Sequence, residues 1–314
     1  MNLDHILLIG FGGPRAPDEV PIFLRQVTSG RNIPESRFRE VCRHYEEIGG
    51  RSPYNTRVFH FWERLKRHAA LSHLTIPIYT GMRNWHPFLK DALLSIKKSG
   101  LKRGIGIVLA PHRSEASYER YLESLNQARI ESDATNLEYH FLKSWHEHPL
   151  FIEAHTDQLK KTLSTLGDLT PQSTHILFTA HSIPLQMASS SSYAQEIHSS
   201  SAKVMELLGS TFPWSIGYQS RSGSPSEPWL GPPAEECLKT LRAKGISQVV
   251  TLPIGFLCDN AETLFDLDIE LRSKAEQSGM KYARVPTVLE HESIVAMFFE
   301  LIQDAISRAD EICS

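Results

Sequence analysis

The stretch Asp259-Asn260-Ala261-Glu262-Thr263-Leu264-Phe265-Asp266-Leu267-Asp268-Ile269-Glu270 sets Glu262, Asp266 and Glu270 four residues apart. On a helix that spacing lines three carboxylates along one face. Like charges so placed repel by about a few tenths of a kcal/mol per pair, so the stripe is either a solvated acidic face or a site. Leu264, Phe265, Leu267 and Ile269 make most of the remaining surface apolar, which would hold the stripe in one direction. A row of hard oxygen ligands suits passage of a hydrated divalent cation. A histidine and a carboxylate at its inner end would suit Fe2+.

Three segments could bring that histidine. Phe178-Thr179-Ala180-His181-Ser182-Ile183-Pro184 delivers an imidazole from an apolar run into a Ser/Pro turn, and the functional and structural readings of His181 stand level. Gly81-Met82-Arg83-Asn84-Trp85-His86-Pro87 would put His86 where a helix starts, since Pro suits the first turn. A cap or surface residue is the better reading there, and equally for His112 in Ala110-Pro111-His112-Arg113-Ser114. Gly10-Phe11-Gly12-Gly13-Pro14 lacks both the G-x-G-x-x-G spacing and a Walker lysine. It reads instead as a tight turn that lets a planar ligand approach the backbone. A loop at 217–223 and 228–233 offers Trp229-Leu230 as apolar surface for a flat ligand.

The elements that must position these residues alternate along the chain. Strand candidates lie at 6–11, 76–80, 105–109, 139–142, 176–178, 214–218 and 249–254, with helical periodicity at 87–98, 118–129, 152–166 and 234–244. Such alternation predicts a parallel α/β sheet with right-handed crossovers. A weak repeat relates residues 87–112 to 233–256: helix, glycine (Gly100 or Gly245), then strand. Each glycine falls where a helix end favours a left-handed residue. The expectation is two similar Rossmann-like lobes, 1–148 and 149–292, with a final helix at 293–312 packing back on the first. Ligands of open α/β sheets bind beyond the carboxyl ends of the strands.

Composition narrows the class. A chain of 314 residues exceeds one ordinary core. Its net charge of −3 gives no support to nucleic-acid binding. Cys42, Cys237, Cys258 and Cys313 are far apart with no C-x-x-C pair, which fits reduced thiols in a cytoplasmic protein. No signal peptide or run of about 20 apolar residues is present, so no transmembrane segment is expected.

Taken together, these residues resemble the ferrochelatases, over nearly the whole chain. Tyr45 and Ile48-Gly49-Gly50-Arg51-Ser52-Pro53 are similar to the family's Y-x-x-I-G-G-x-S-P segment. Residues 179–184 resemble S-A-H-S-[LI]-P, with Thr179 for Ser. Tyr218-Gln219-Ser220 through Trp229-Leu230-Gly231-Pro232 resembles Q-S-x-x-G-x-x-x-W-L-x-P. Pro253-Ile254-Gly255-Phe256 through Glu262-Thr263-Leu264 resembles P-x-G-F-x-x-D-x-x-E-[TV]-L. The resemblance implies two chelatase-like lobes with four-stranded parallel sheets around a porphyrin cleft, and insertion of Fe2+ into protoporphyrin IX. It implies His181 and Glu262 as inner metal and proton-handling pair, facing each other across that cleft, with Asp266 and Glu270 as outer metal positions. Phe11, Arg31, Ser52, His86, Tyr218, Gln219, Ser220 and Trp229 are the porphyrin candidates, Arg31, Ser52 and residues 218–222 for its propionates.

Two departures stand out. Asn260 replaces a His common before the metal Glu, and Phe11 replaces the Tyr of coproporphyrin-using relatives, which weakens a coproporphyrin III reading. The cysteine-rich extension of iron–sulfur members is missing, so no cluster and no cofactor beyond substrate Fe2+ is expected. In the implied mechanism His181, uncharged near neutral pH, takes a pyrrole proton or binds the metal. The rivals are a cobalt or nickel tetrapyrrole chelatase, which would present two His ligands, and a tetrapyrrole carrier, which needs no acidic ladder. A monomer that passes haem to an accepting partner completes the expectation.

Overall fold

The computed structural model describes residues 3–30, 33–142, 144–222 and 227–311. Its strands form two four-stranded sheets, each wholly parallel. The first sheet holds β1 (His5–Gly10), β2 (Ile78–Met82), β3 (Arg103–Val108) and β4 (Glu138–Phe141), in the order β2-β1-β3-β4. The second holds β5 (Thr174–His181), β6 (Trp214–Gln219), β7 (Gln248–Leu252) and β8 (Lys281–Arg284), in the order β6-β5-β7-β8. Both sheets therefore share one wiring. The sequence repeat falls on β3 and β7, which occupy the same place in each.

Burial explains why most strands were readable. Parallel strands covered on both faces read as continuous apolar runs. All six residues of β1 are buried, as are the first seven of β5. The edge strands differ. In β8, Lys281-Tyr282-Ala283-Arg284, only Tyr282 is buried. With no apolar run and no alternation it escaped the seven strands expected, and it is the eighth.

The chain divides into two compact units. One takes in the described residues of Met1–Leu109, Ala116–Ser144 and Leu289–Ser314; the other is Ala110–Glu115 with Trp145–Val288. Residues 110–115, left in the first lobe by the sequence reading, thus belong to the second unit, through a 3.1 Å hydrogen bond between His112 and Ser200 and one of 2.7 Å from the Arg113 N–H to Glu196. In the first unit the helix Glu292–Glu311 packs on the helix Tyr54–Leu71, with Phe298 edge-on to Phe61 at 5.4 Å.

Two helices depart from expectation. The helix expected from Pro87 starts at Leu89, because Asp91 accepts the Phe88 N–H at 2.9 Å and makes Phe88 the cap. The acidic segment is helical from Ala261 but takes π-helical form over Thr263–Leu271. An i→i+5 hydrogen-bond pattern widens the turn, so a residue four on falls just short of one full turn rather than just past it. Leu267 and Leu271 still reach the core between this segment and the helix Ala234–Ala243.

Candidate active site

The second sheet has its switch point between β5 and β7. From β5 the chain crosses to β6 on one side, and from β7 to β8 on the other. Loops leaving such a pair diverge and open a crevice at the strand ends. His181 is the last residue of β5, and Glu262 sits in the first turn of the helix that follows β7. Their side chains meet, Nε2 to Oε1, at 3.4 Å. The sequence reading set them on opposite sides of a cleft; both belong to the second unit and touch directly.

Each member of the pair is fixed from behind. His181 Nδ1 donates to the Ser182 carbonyl, and the Tyr193 hydroxyl donates to the His181 carbonyl at 2.9 Å. With Nδ1 committed, only Nε2 is free to act. Gly255 brings the two loops together: its N–H donates to the Thr179 carbonyl at 3.0 Å, and a Cβ there would lie 2.5 Å from the Cβ of Ala180. Asn260 is the N-cap of the acidic helix. Its side-chain oxygen accepts the Thr263 N–H at 2.9 Å while the Thr263 hydroxyl accepts the Asn260 N–H at 3.0 Å. Its amide also reaches Glu262 Oε2 at 3.4 Å.

Electrostatics distinguish the groups. Burial favours the neutral imidazole of His181, yet the Glu262 carboxylate, the Ser182 carbonyl and Asp266 outweigh it and raise the pKa to about 9. Burial likewise opposes the Glu262 charge, and the His181 cation with the Asn260 amide holds that carboxyl below its ordinary value. The resting pair is imidazolium and carboxylate, so the expectation of an uncharged His181 at neutral pH is corrected. Asp266 moves the other way. Burial pushes it up, the Ser220 hydroxyl donating to Oδ2 pulls it down, and Glu262 and Glu270 push it up again, to about 7. Ser220 presents that hydroxyl from a left-handed backbone, φ 61°, which a non-glycine residue adopts only at a cost.

The model of the ferrochelatase family matches residues 4–306. The chain belongs to the ferrochelatases. As a ferrochelatase it is an enzyme, a metal chelatase that inserts Fe2+ into a porphyrin in haem synthesis. A ferrochelatase of Rhodopirellula baltica is 36% identical over 309 residues, spanning 98% of this chain and 88% of its own length. A coproporphyrin III ferrochelatase of Streptomyces griseus is 35% identical over 332 residues, spanning 99% and 88%. The structure of SirB from Bacillus subtilis with Fe3+ superposes with a TM-score of 0.63 over 99% of this chain and 98% of that one; at 11% identity this likeness is one of fold.

The other expected residues of this ferrochelatase fall into two groups. In the second unit, Gln219 lies beside His181 in register and donates to the Glu262 carbonyl at 3.2 Å, while Tyr218 is buried. Trp229 is placed by a backbone bridge to Pro184, three residues after His181. Glu270 is exposed and paired with Lys274 at 3.1 Å, which also binds Glu235, so the outer rung is part of an ion cluster. In the first unit, Phe11 is half-buried and Ser52 is buried, its hydroxyl accepting the Tyr54 N–H at 3.3 Å. The space beside Gly10 and Gly13 is taken by protein: a Cβ would meet Met82 Sδ at 2.6 Å and Ser52 Cβ at 2.7 Å. These two glycines admit neighbouring side chains on the sides where a Cβ would stand. His86 is exposed and packs edge-on against Phe88 at 4.3 Å. Arg31 lies outside the described residues.

Sequence reasoning missed three supports. Tyr193 gave no signal. Asn260 gives one, an Asn just before a helix, which favours the N-cap position. Arg284, on the unrecognised β8, donates at 2.9 Å to Asp259 and at 2.7 Å to Asp268.

Proposed function

We propose that this ferrochelatase converts protoporphyrin IX to protohaem, with His181 and Glu262 as the inner pair that handles iron and pyrrole protons. The contact of His181 Nε2 with Glu262 Oε1 at the strand switch point carries this reading. At rest a proton occupies Nε2. Once it leaves, a nitrogen lone pair and a carboxylate oxygen point at one spot, a borderline and a hard donor suited to Fe2+. Among the described residues no three His, Cys, Asp or Glu side chains converge to hold a metal.

As Fe2+ enters, the porphyrin gives up its two N–H protons, and the added charge is balanced by the protons leaving. Nε2 is the acceptor nearest the ring in this scheme, Glu262 the group that stabilises its charge, and Asp266 the next carrier outward. A carboxyl with a pKa near 7 both takes and releases protons at neutral pH. Tyr218, Gln219, Ser220 and Trp229, with Phe11, Ser52, His86 and Arg31, remain the candidates for holding the ring and its propionates. No helix among the described residues is long and apolar enough to cross a membrane. We place the enzyme in the cytoplasm as a monomer, without a cluster, passing haem to an accepting partner.

Coproporphyrin III is the second reading, favoured by the Streptomyces griseus relative, which bears that name. Phe11 favours the first, because its ring cannot ligate iron. Anaerobic turnover of both porphyrins with Fe2+, followed by haem absorbance, decides between them. Faster metallation of coproporphyrin III would replace the first reading, and no haem from either would remove both. His181→Ala should abolish turnover while leaving porphyrin binding nearly intact, since apolar ring burial supplies most of that affinity.

A further inference from the structure

The segment bearing Glu262 and Asp266 combines a wide helical turn with mutually repelling carboxylates, and something must hold it in place. Arg284 ends β8 with its side chain only 11% exposed. Its Nη1 donates to Asp259 Oδ1 at 2.9 Å and its Nε to Asp268 Oδ1 at 2.7 Å. Asp259 comes three residues before Glu262, and Asp268 two after Asp266. One guanidinium therefore grips the segment on either side of Glu262 and Asp266. Asp259 Oδ1 also lies 3.4 Å from the Thr263 hydroxyl, which itself closes the cap with Asn260.

Arg284 is anchored in turn. It pairs in register with Thr251 of β7, and the Val285 N–H donates to the Thr251 carbonyl at 2.8 Å. The reference for the acidic segment is thus the strand from which its loop departs. A planar guanidinium has fixed donor directions, so it sets angle as well as distance.

We propose that Arg284 is a positioning residue for metallation: by bridging Asp259 and Asp268 it fixes where Glu262 stands against His181 and Asp266 against Ser220, and so governs iron capture without touching iron. This rests on the reading of Glu262 as the inner group. A structural arginine and a positioning one part company in the kinetics. Loss of stability alone lowers the amount of active enzyme, and hence apparent kcat, at unchanged KM for Fe2+. Displacement of the ladder raises that KM.

The test compares Arg284→Lys, which keeps the charge but not the two donor directions, with Asp268→Asn, which weakens one end of the bridge. Iron and porphyrin titrations are run on both, with Glu262→Gln as reference. A misplacement near 1 Å costs up to about a hundredfold in rate, so kcat/KM for Fe2+ should fall between about tenfold and a hundredfold in Arg284→Lys, with KM for Fe2+ raised. A smaller rise is expected in Asp268→Asn, with KM for porphyrin within about twofold of wild type in both. Unchanged KM for Fe2+ in the two variants overturns the proposal; should Arg284→Lys fail to fold, Asp268→Asn alone decides. Full turnover by Glu262→Gln would remove the underlying reading, and this inference with it. An inactive Glu262→Gln beside an unaltered Arg284→Lys would remove this inference alone.

Discussion

A histidine with one nitrogen tied to a backbone carbonyl can bind iron or accept a proton only through the other, and only when that nitrogen is bare. His181, raised to about 9 by Glu262, is mostly protonated at neutral pH. In the free enzyme kcat/KM for Fe2+ should therefore climb with pH and level off above about 9, since that ratio reports free-enzyme groups. Glu262→Gln removes the charge that raises His181, so any residual activity should level off at lower pH. A profile flat from pH 7 to 9 would contradict the assignment. The acidic ladder is unequal: Asp266 is half-buried against Ser220, whereas Glu270 is exposed and already neutralised by Lys274. Asp266→Asn should raise KM for Fe2+ or slow proton exit, and Glu270→Gln should do much less; equal effects in iron titrations would argue for a uniformly solvated stripe. The sequence made these residues visible through type and spacing. Their charge states were not visible, because those depend on which group ends up 3.4 Å away.

At the scale of elements, the match between reading and structure follows burial. Strands covered on both faces announce themselves as apolar runs, while β8, with one buried side chain, does not. The helix bearing Glu262 was legible, but its π-helical turn was not, since residue types and spacing do not separate it from an α-helix. The motif glycine Gly255 was legible as a residue, its reason only in three dimensions. Gly255→Ala would press a methyl to within 2.7 Å of the Ala180 Cα, backbone that cannot swing aside. Overpacking of this kind costs about 1–3 kcal/mol, and it displaces the residue just before His181. The variant should melt earlier and lose on the order of a hundredfold in kcat/KM. Wild-type kinetics in a folded Gly255→Ala would show that the close approach does not set His181.

For the molecule as a whole, buried neutral histidines set a limit in acid. Burial, with the charge of Lys244, lowers His175 to about 4, against an ordinary value of 6.5. Between those values the unfolded chain takes up a proton that the folded chain refuses, so stability falls as pH drops through the window and is unaffected above it. The loss approaches something on the order of 3 kcal/mol at the acid end. Burial of His112 and His5 acts with the same sign. Thermal melting should therefore drop steeply from pH 6.5 to 4, and less so in His175→Gln; an identical drop in that variant would clear His175. The shared wiring of the two sheets has a consequence of another kind. β5 ends on His181, whereas β1 ends on Gly10 and runs into Phe11-Gly12-Gly13-Pro14, with no ionisable group. One copy of the plan carries the paired imidazole and carboxylate, and its twin carries no ionisable group at the matching strand end. Substitutions at the first strand end therefore alter shape and apolar surface there and leave every ionisable group of the second untouched.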